Sequence, residues 1–259
     1  MMKLEKLKEE RKLNKYTFLM KGSDEVFANT IPRLIAEEVP TLAVEDIEIK
    51  DNNSALFDEM LGLRLGLLPI KTDLKTYRLP KNADEVEERS AECTLQLKLK
   101  VGRNGYIYAE DAESADPKCT FVQPKAIIVK LLSKQKVDVT MTAVMGQGKV
   151  HTKWSPGLAI YRHEPVIKMG KVENPEIVAN HSTDGVFTLK AGKLTLNEDK
   201  VIDSKLLEYY SELDKGITVE YSDNIIFSIE SWGQLTTKEI LSSAADFLVT
   251  KVEEMESLI

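Results

Sequence analysis

Apolar positions along the chain change period several times, and each change marks an element. Tyr16-Thr-Phe-Leu-Met has the aromatic and β-branched character of a strand. Gly22-Ser23-Asp24 then offers turn and N-cap chemistry, because a Ser or Asp oxygen satisfies free N–H groups in a helix's first turn. From there Phe27, Ile31, Leu34, Ile35 and Glu38 recur at helical spacing, up to a Val39-Pro40 turn. Pro32 lies inside this run, and an interior proline costs a helix about 3 kcal/mol. The helix is therefore expected either to begin near Thr30 or to be kinked. A strand over 42–49 follows. Asp51-Asn-Asn-Ser54 then caps a second helix with Leu56, Met60, Leu63 and Leu67 as its apolar stripe and Pro69 as its end. The charged stretch from Pro80 to Ser90 reads as a solvated loop.

Strand patterns dominate the next section. Leu95, Leu97, Leu99 and Val101 alternate with Gln96, Lys98 and Lys100, as in a sheet wet on one face. Gly102-Arg-Asn-Gly105 is expected to turn this strand into Tyr106-Ile-Tyr-Ala as a hairpin. Segments 126–132 and 137–145 read as further strands, so 47–165 is predicted to be a largely antiparallel sheet domain. Residues 166–213 change character, with a hairpin over 185–196 and a helix over 203–211, and read as a small inserted α+β module. Strands return at 216–220 and 225–231. A final helix opens on Thr236-Thr-Lys-Glu239, a capping-box sequence. Ile240, Ala244, Phe247, Leu248, Lys251, Met255 and Leu258 then follow at helical spacing. About 22 residues make a rod of roughly 33 Å, long enough that part of its stripe is expected to face another chain.

Composition narrows the function classes. The 259 residues are 42% hydrophobic and 30% charged, with a net charge of −7. That balance argues against a nucleic-acid-coating surface. No apolar run approaches the roughly 20 residues that span a bilayer, and the charged N-terminus lacks a signal-peptide core, so a cytoplasmic location is expected. Cys93 and Cys119 have no neighbouring CxxC or His-Cys cluster and read as isolated buried thiols. His151, His163 and His181 stand in no nucleophilic or metal motif. His151-Thr-Lys-Trp154 brings an imidazole, an ammonium and an indole together, but a turn anchored by its Trp accounts for it better than a site does. Gly146-Gln-Gly148 matches neither a phosphate loop nor a dinucleotide fingerprint. No catalytic residue, metal or cofactor is expected.

Four segments nevertheless carry a specific likeness: Phe27-Ala-Asn-Thr-Ile-Pro-Arg33 through Val39-Pro-Thr-Leu-Ala-Val44; Asn53-Ser-Ala-Leu-Phe-Asp-Glu with Arg64-Leu-Gly-Leu-Leu-Pro69; Gly148-Lys-Val-His151-Thr-Lys-Trp154-Ser-Pro156; and Ile229-Glu-Ser-Trp-Gly233-Gln-Leu. In order and spacing they resemble the D-type family of archaeal RNA polymerase subunits, counterpart of the third-largest subunit of eukaryotic polymerase II and of the bacterial α N-terminal domain. The resemblance implies an α+β fold. A discontinuous dimerisation domain, 1–46 plus 214–259, would be interrupted by a β domain over 47–165 and a ferredoxin-like module over 166–213. It implies a non-catalytic assembly subunit that pairs with small subunit L, gathers small subunits N and P, and docks the two large catalytic subunits. Phe27, Asn29, Ile31, Arg33, Leu34, Ile35, Ile240, Ala244, Phe247, Leu248 and Lys251 are the expected partner-binding residues, with Asn29 and Arg33 as polar contacts.

Three departures from the family pattern matter. Pro32 stands where the family has a second arginine. Of the cysteine-rich zinc loop of eukaryotic relatives only Cys93 is present. His181-Ser-Thr-Asp-Gly-Val-Phe187 resembles a ferredoxin cluster turn without its cysteine, so the module is expected to hold no iron–sulfur cluster. The rival reading is a free-standing binding module that forms a homodimer.

Overall fold

The computed structural model describes residues 2–190 and 192–258. Its strands are β1 (Lys3–Glu10), β2 (Lys15–Lys21), β3 (Thr41–Asn52), β4 (Thr94–Val101), β5 (Gly105–Tyr108), β6 (Glu113–Ser114), β7 (Ile127–Leu131), β8 (Val137–Gly146), β9 (Gly157–Met169), β10 (Phe187–Lys190), β11 (Lys193–Leu196) and β12 (Ile217–Ser231). The helices are α1 (Glu25–Glu37), α2 (Asp58–Gly66), α3 (Ala83–Glu87), α4 (Pro175–His181), α5 (Glu198–Val201), α6 (Leu207–Leu213) and α7 (Thr237–Glu256). Two four-stranded sheets, ordered β1-β2-β12-β9 and β3-β8-β4-β6, are accompanied by the two-stranded ribbons β5-β7 and β10-β11. The fold class is α+β. No helix among the described residues is long and apolar enough to cross a membrane.

The chain divides into two compact units. One comprises Lys8–Thr17, Asn29–Ile160 and Ser228–Ile259. Its core forms around β8, the central strand between β3 and β4. Strict alternation places Val137, Val139, Met141, Ala143 and Met145 on one face, with Val101, Leu99, Leu97 and Leu95 of β4 opposite the first four in antiparallel register. β3 lies antiparallel on the other side, with register shifts after Val44 and Ile49. Every one of those β8 side chains is buried, as the period of two requires of a strand's core-facing row.

Several expectations change here. β4 and β5 do not form a hairpin. β4 has β8 along one edge and β6 along the other, so β5 pairs with β7 instead. α2 buries Leu61 and Leu65, whereas Met60, Leu63 and Leu67 of the expected stripe are exposed. Both rows have helical spacing, and periodicity alone cannot say which one meets the sheet. The charged 80–90 stretch is not wholly loop. Asn82 caps the short helix α3 by accepting the Glu85 N–H at 3.2 Å. The Glu85 carboxylate takes a two-pronged pair of bonds from Arg78, both at 2.9 Å. Those bonds, with that from the Lys81 N–H, hold the Glu85 carboxyl down at about 2.

The other unit comprises Met1–Leu7, Phe18–Ala28 and Tyr161–Phe227. Val178, Val186, Phe187, Val201, Leu207, Tyr210 and Ile217 form its core, and Phe187 meets Tyr210 edge-on with ring centroids 5.0 Å apart. The predicted 185–196 hairpin is β10-β11, in antiparallel register from Phe187–Leu196 to Lys190–Lys193. Ala191 lies outside the described residues. Asp184 occupies the turn between α4 and β10 and ties the segment together. It accepts from Tyr210 Oη at 2.5 Å, from Ser182 Oγ at 3.1 Å, from the Val186 N–H at 3.2 Å, and from Ser204 Oγ. Ser182 Oγ in turn accepts the Phe187 N–H at 2.8 Å. Burial pushes the Asp184 carboxyl up, but these hydrogen bonds outweigh it and leave it below its ordinary value.

Candidate assembly interface

The first signature segment folds as α1. Asp24 caps it, its Oδ1 accepting the Phe27 N–H at 2.8 Å. The helix begins at Glu25, five residues before Thr30, and runs through Pro32 to Glu37. Pro32 has no N–H to offer the Ala28 carbonyl one turn back, so one rung of the ladder is missing. Ala28 and Ile35 are fully buried and Phe27, Ile31 and Leu34 half-buried, while Asn29 and Arg33 are exposed together on the opposite face.

The third signature segment holds the other end of α1. The last carbonyls of a helix lack intrahelical partners, and here the 146–149 turn reaches them. Gln147 Nε2 donates to the Glu38 carbonyl at 2.8 Å and the Lys149 N–H to the Glu37 carbonyl at 3.1 Å. Lys149 Nζ lies 2.8 Å from the Glu38 carboxylate, a cation placed where the helix dipole favours one. Gly148 passes so close that an added Cβ would stand 1.8 Å from the Ala36 carbonyl oxygen.

The motif His151-Thr-Lys-Trp154 supports this turn from behind. Trp154 Nε1 donates to the Val144 carbonyl at 3.0 Å, and Thr41 Oγ1 to the Trp154 carbonyl at 2.6 Å. The indole lies against Gly146, where a Cβ would come within 2.4 Å of the ring. Lys153 Nζ sits 4.5 Å from the Trp154 ring centre and donates to the Val44 carbonyl at 2.9 Å. His151 Nδ1 accepts the Lys153 N–H at 3.1 Å. The imidazole, ammonium and indole are thus all engaged in holding the turn. The third and fourth segments meet where Trp232 N–H donates to the Pro156 carbonyl at 3.0 Å.

The fourth segment leads into α7 through a complete capping box. Glu239 accepts the Thr236 N–H at 2.9 Å and Thr236 Oγ1 accepts the Glu239 N–H at 3.3 Å. Ile240 and Ala244 are fully buried in their own chain. That corrects their expected place on a partner-facing stripe, because the first turns of α7 complete the intramolecular core. Ile35 is corrected on the same ground. Phe247 and Leu248 are half-buried, and Lys251 is exposed, 5.5 Å from the Phe247 ring centre and 2.7 Å from Glu254. The distal half of α7 shows Val249 at 55%, Val252 at 48% and Met255 at 65% exposure. Of these, Val249 and Val252 were not singled out by sequence reasoning. The signal that finds Val252 is the alternating spacing of four and three in Leu241, Ala245, Leu248, Val252 and Met255, the seam of a helix packed along another helix.

Among the described residues, no group of three or more His, Cys, Asp or Glu is placed to hold a metal ion. What the signature residues build is an α+β scaffold in which close-packed glycines, a tryptophan and capping groups fix two helices and leave their outer faces bare. Residues 46–157 match the family described as RNA polymerase Rpb3/RpoA insert domain. The chain is 32% identical to DNA-directed RNA polymerase subunit Rpo3 of Methanosarcina acetivorans over 248 residues, 93% of each chain. It is 32% identical to the Rpo3 subunit of Pyrococcus furiosus over 255 residues, 96% of this chain and 94% of that one. The chain belongs to the archaeal Rpo3 family, the non-catalytic D-type subunits of DNA-directed RNA polymerase.

Proposed function

We propose that this chain is the cytoplasmic assembly platform of its polymerase. It heterodimerises with the small subunit L, gathers the small subunits N and P, and presents the pair to the two large catalytic subunits. Residues 1–46 and 214–259 act as the discontinuous dimerisation domain, 47–165 as the inserted β domain, and 166–213 as a ferredoxin-like module without a cluster. The observation that carries this reading is the apolar row on distal α7, in which Ala245, Val252 and Met255 are exposed and Leu248 is half-buried. An isolated helix face of this kind is expected to be covered, because exposed contiguous apolar surface marks an interaction site. Asn29 and Arg33 of α1 supply polar contacts, Arg33 being suited to two-pronged bonding with a partner carboxylate. Phe27, Ile31, Leu34, Phe247 and Lys251 flank these faces. Interfaces of obligate pairs commonly bury about 2,000 Å² or more.

Co-expression with subunit L tests the proposal. A stable one-to-one complex is expected by native mass spectrometry. A chain that stays monomeric, or forms only the homodimer of the rival reading, in the presence of L refutes it.

A further inference from the structure

The first, third and fourth signature segments build and hold α1 and α7. The second, from Asn53 to Pro69, builds α2, nine residues and roughly 14 Å long, and the way this helix is seated leaves one side of it bare. Leu61 and Leu65 are fully buried beneath it. Gly62 and Gly66 lie over β3, where an added Cβ would stand 3.8 Å from Ile47 Cδ1 and 3.6 Å from the Val44 carbonyl oxygen. The other side carries Met60, Leu63 and Leu67, exposed to 47%, 57% and 53%, with Phe57 just before the helix at 78%. Single exposed apolar residues are ordinary. Four bunched on one short helix make a patch on the order of 400 Å², the size that marks an interaction site.

The patch is held rigidly at both ends. Asn52 Oδ1 accepts the Ser54 N–H at 3.2 Å, and Asn52 Nδ2 donates to the Leu56 carbonyl at 2.9 Å and to the Asp58 carboxylate at 2.7 Å, which fixes the entry to the helix. Arg64 Nη1 donates to the Ile128 carbonyl at 2.9 Å and ties the helix to β7. The two flanks of the apolar row differ in charge. Arg64, one turn on from Met60, is committed to that carbonyl. Glu59, one turn before Leu63, is exposed and has no partner among the described residues. The charge left free beside the row is therefore acidic.

These features decide among occupants. A row spaced by three and four is the ridge of helix-on-helix packing, and a helix has no free backbone edge to pair with an extended strand. A lipid surface is disfavoured, because amphipathic helices that lie in membranes carry Lys and Arg beside their apolar face. A second copy of the chain is disfavoured by size, since the patch is about half of the roughly 800 Å² that each partner of a stable pair contributes. It suits a partner that the assembly also holds elsewhere. We propose that the outer row of α2 is a docking seam for an amphipathic helix of a polymerase subunit other than L. That helix presents Leu, Ile, Val or Met at helical spacing to Met60, Leu63 and Leu67, and sets a Lys or Arg against Glu59. The seam rests on the platform reading but uses a different helix from the two assigned to L.

The test is co-expression of the full chain with the remaining subunits of its polymerase, comparing wild type with Leu63→Glu and Glu59→Lys. Native mass spectrometry reads the heterodimer with L and the incorporation of every other subunit separately. The wild-type heterodimer reports on the platform reading, and the variant-to-wild-type ratio of each remaining subunit reports on the seam. Both variants are expected to keep the heterodimer. Leu63→Glu is expected to lower incorporation of one further subunit about tenfold or more, and Glu59→Lys to lower that of the same subunit about threefold. Because both positions are exposed, the thermal midpoint of the free chain is expected to stay within about 2 °C of wild type. A photo-cross-linking benzoylphenylalanine replacing Met60 is expected to label that same subunit on a helix bearing Lys or Arg. Undiminished incorporation with Leu63→Glu overturns the proposal. So does a Met60 cross-link that reaches no protein besides L, this chain or a second copy of it.

Discussion

Two residues show how local chemistry sets the stability of this molecule. Gly148 lies where a Cβ would stand 1.8 Å from the Ala36 carbonyl oxygen. Backbone, not a flexible side chain, is the obstacle, so relief requires the turn or the helix to move. Gly148→Ala is expected to cost about 1–3 kcal/mol, the usual range for overpacking, as read by urea denaturation. Asp184 acts through charge. Its folded carboxyl is held below its ordinary value, so it contributes stability above its unfolded pKa that is lost as pH falls through the folded one. Asp184→Asn leaves buried hydroxyl and N–H donors worse paired and is expected to cost about 1–3 kcal/mol at neutral pH. The gap between wild type and variant should close as pH drops below about 4. Hydrogen exchange of the Val186 and Phe187 amides measures it, and a pH-independent gap would rule out the ionised carboxylate as the cause.

Elements divide into those whose outer environment the sequence could read and those it could not. On α7, Ile240→Ala is expected to destabilise the free chain by about 2–5 kcal/mol, as buried aliphatic truncations do. Met255→Glu is expected to leave the stability of the free chain within about 0.5 kcal/mol of wild type while weakening capture of the small partner about tenfold or more. Calorimetry on the free chain and a pull-down with subunit L separate the two effects. The capping box at Thr236, the cap at Asp24 and the alternation of β4 and β8 are legible because each depends on near neighbours in sequence. Which row of α2 turns inward is not. Met60–Leu63–Leu67 and Leu61–Leu65 are equally periodic, and only the sheet beneath selects between them. The same reason hides the split of α7 into a buried first half and a bare second half. The pairing of β5 with β7 depends on both edges of β4 being taken, a fact about strands far away in sequence.

At the scale of the whole molecule, family membership explains why motifs with no chemistry in them are so specific. The Gly146–Trp154 segment, site-like in sequence, spends its polar atoms on α1 and on the sheet, and Asn29 and Arg33 are thereby carried on a helix fixed at both ends. That fixation has a consequence in time. The bond from Gln147 to the Glu38 carbonyl joins residues 109 positions apart, so the C-terminal end of α1 has no anchor until the ribosome has made and released the 146–149 turn. At about 5–20 residues per second that interval is roughly 5–20 s, and the closure of so long a loop is itself a late folding event. A nascent chain is therefore expected to be unable to present a finished α1 to any partner before the 146–149 turn has emerged and closed on it.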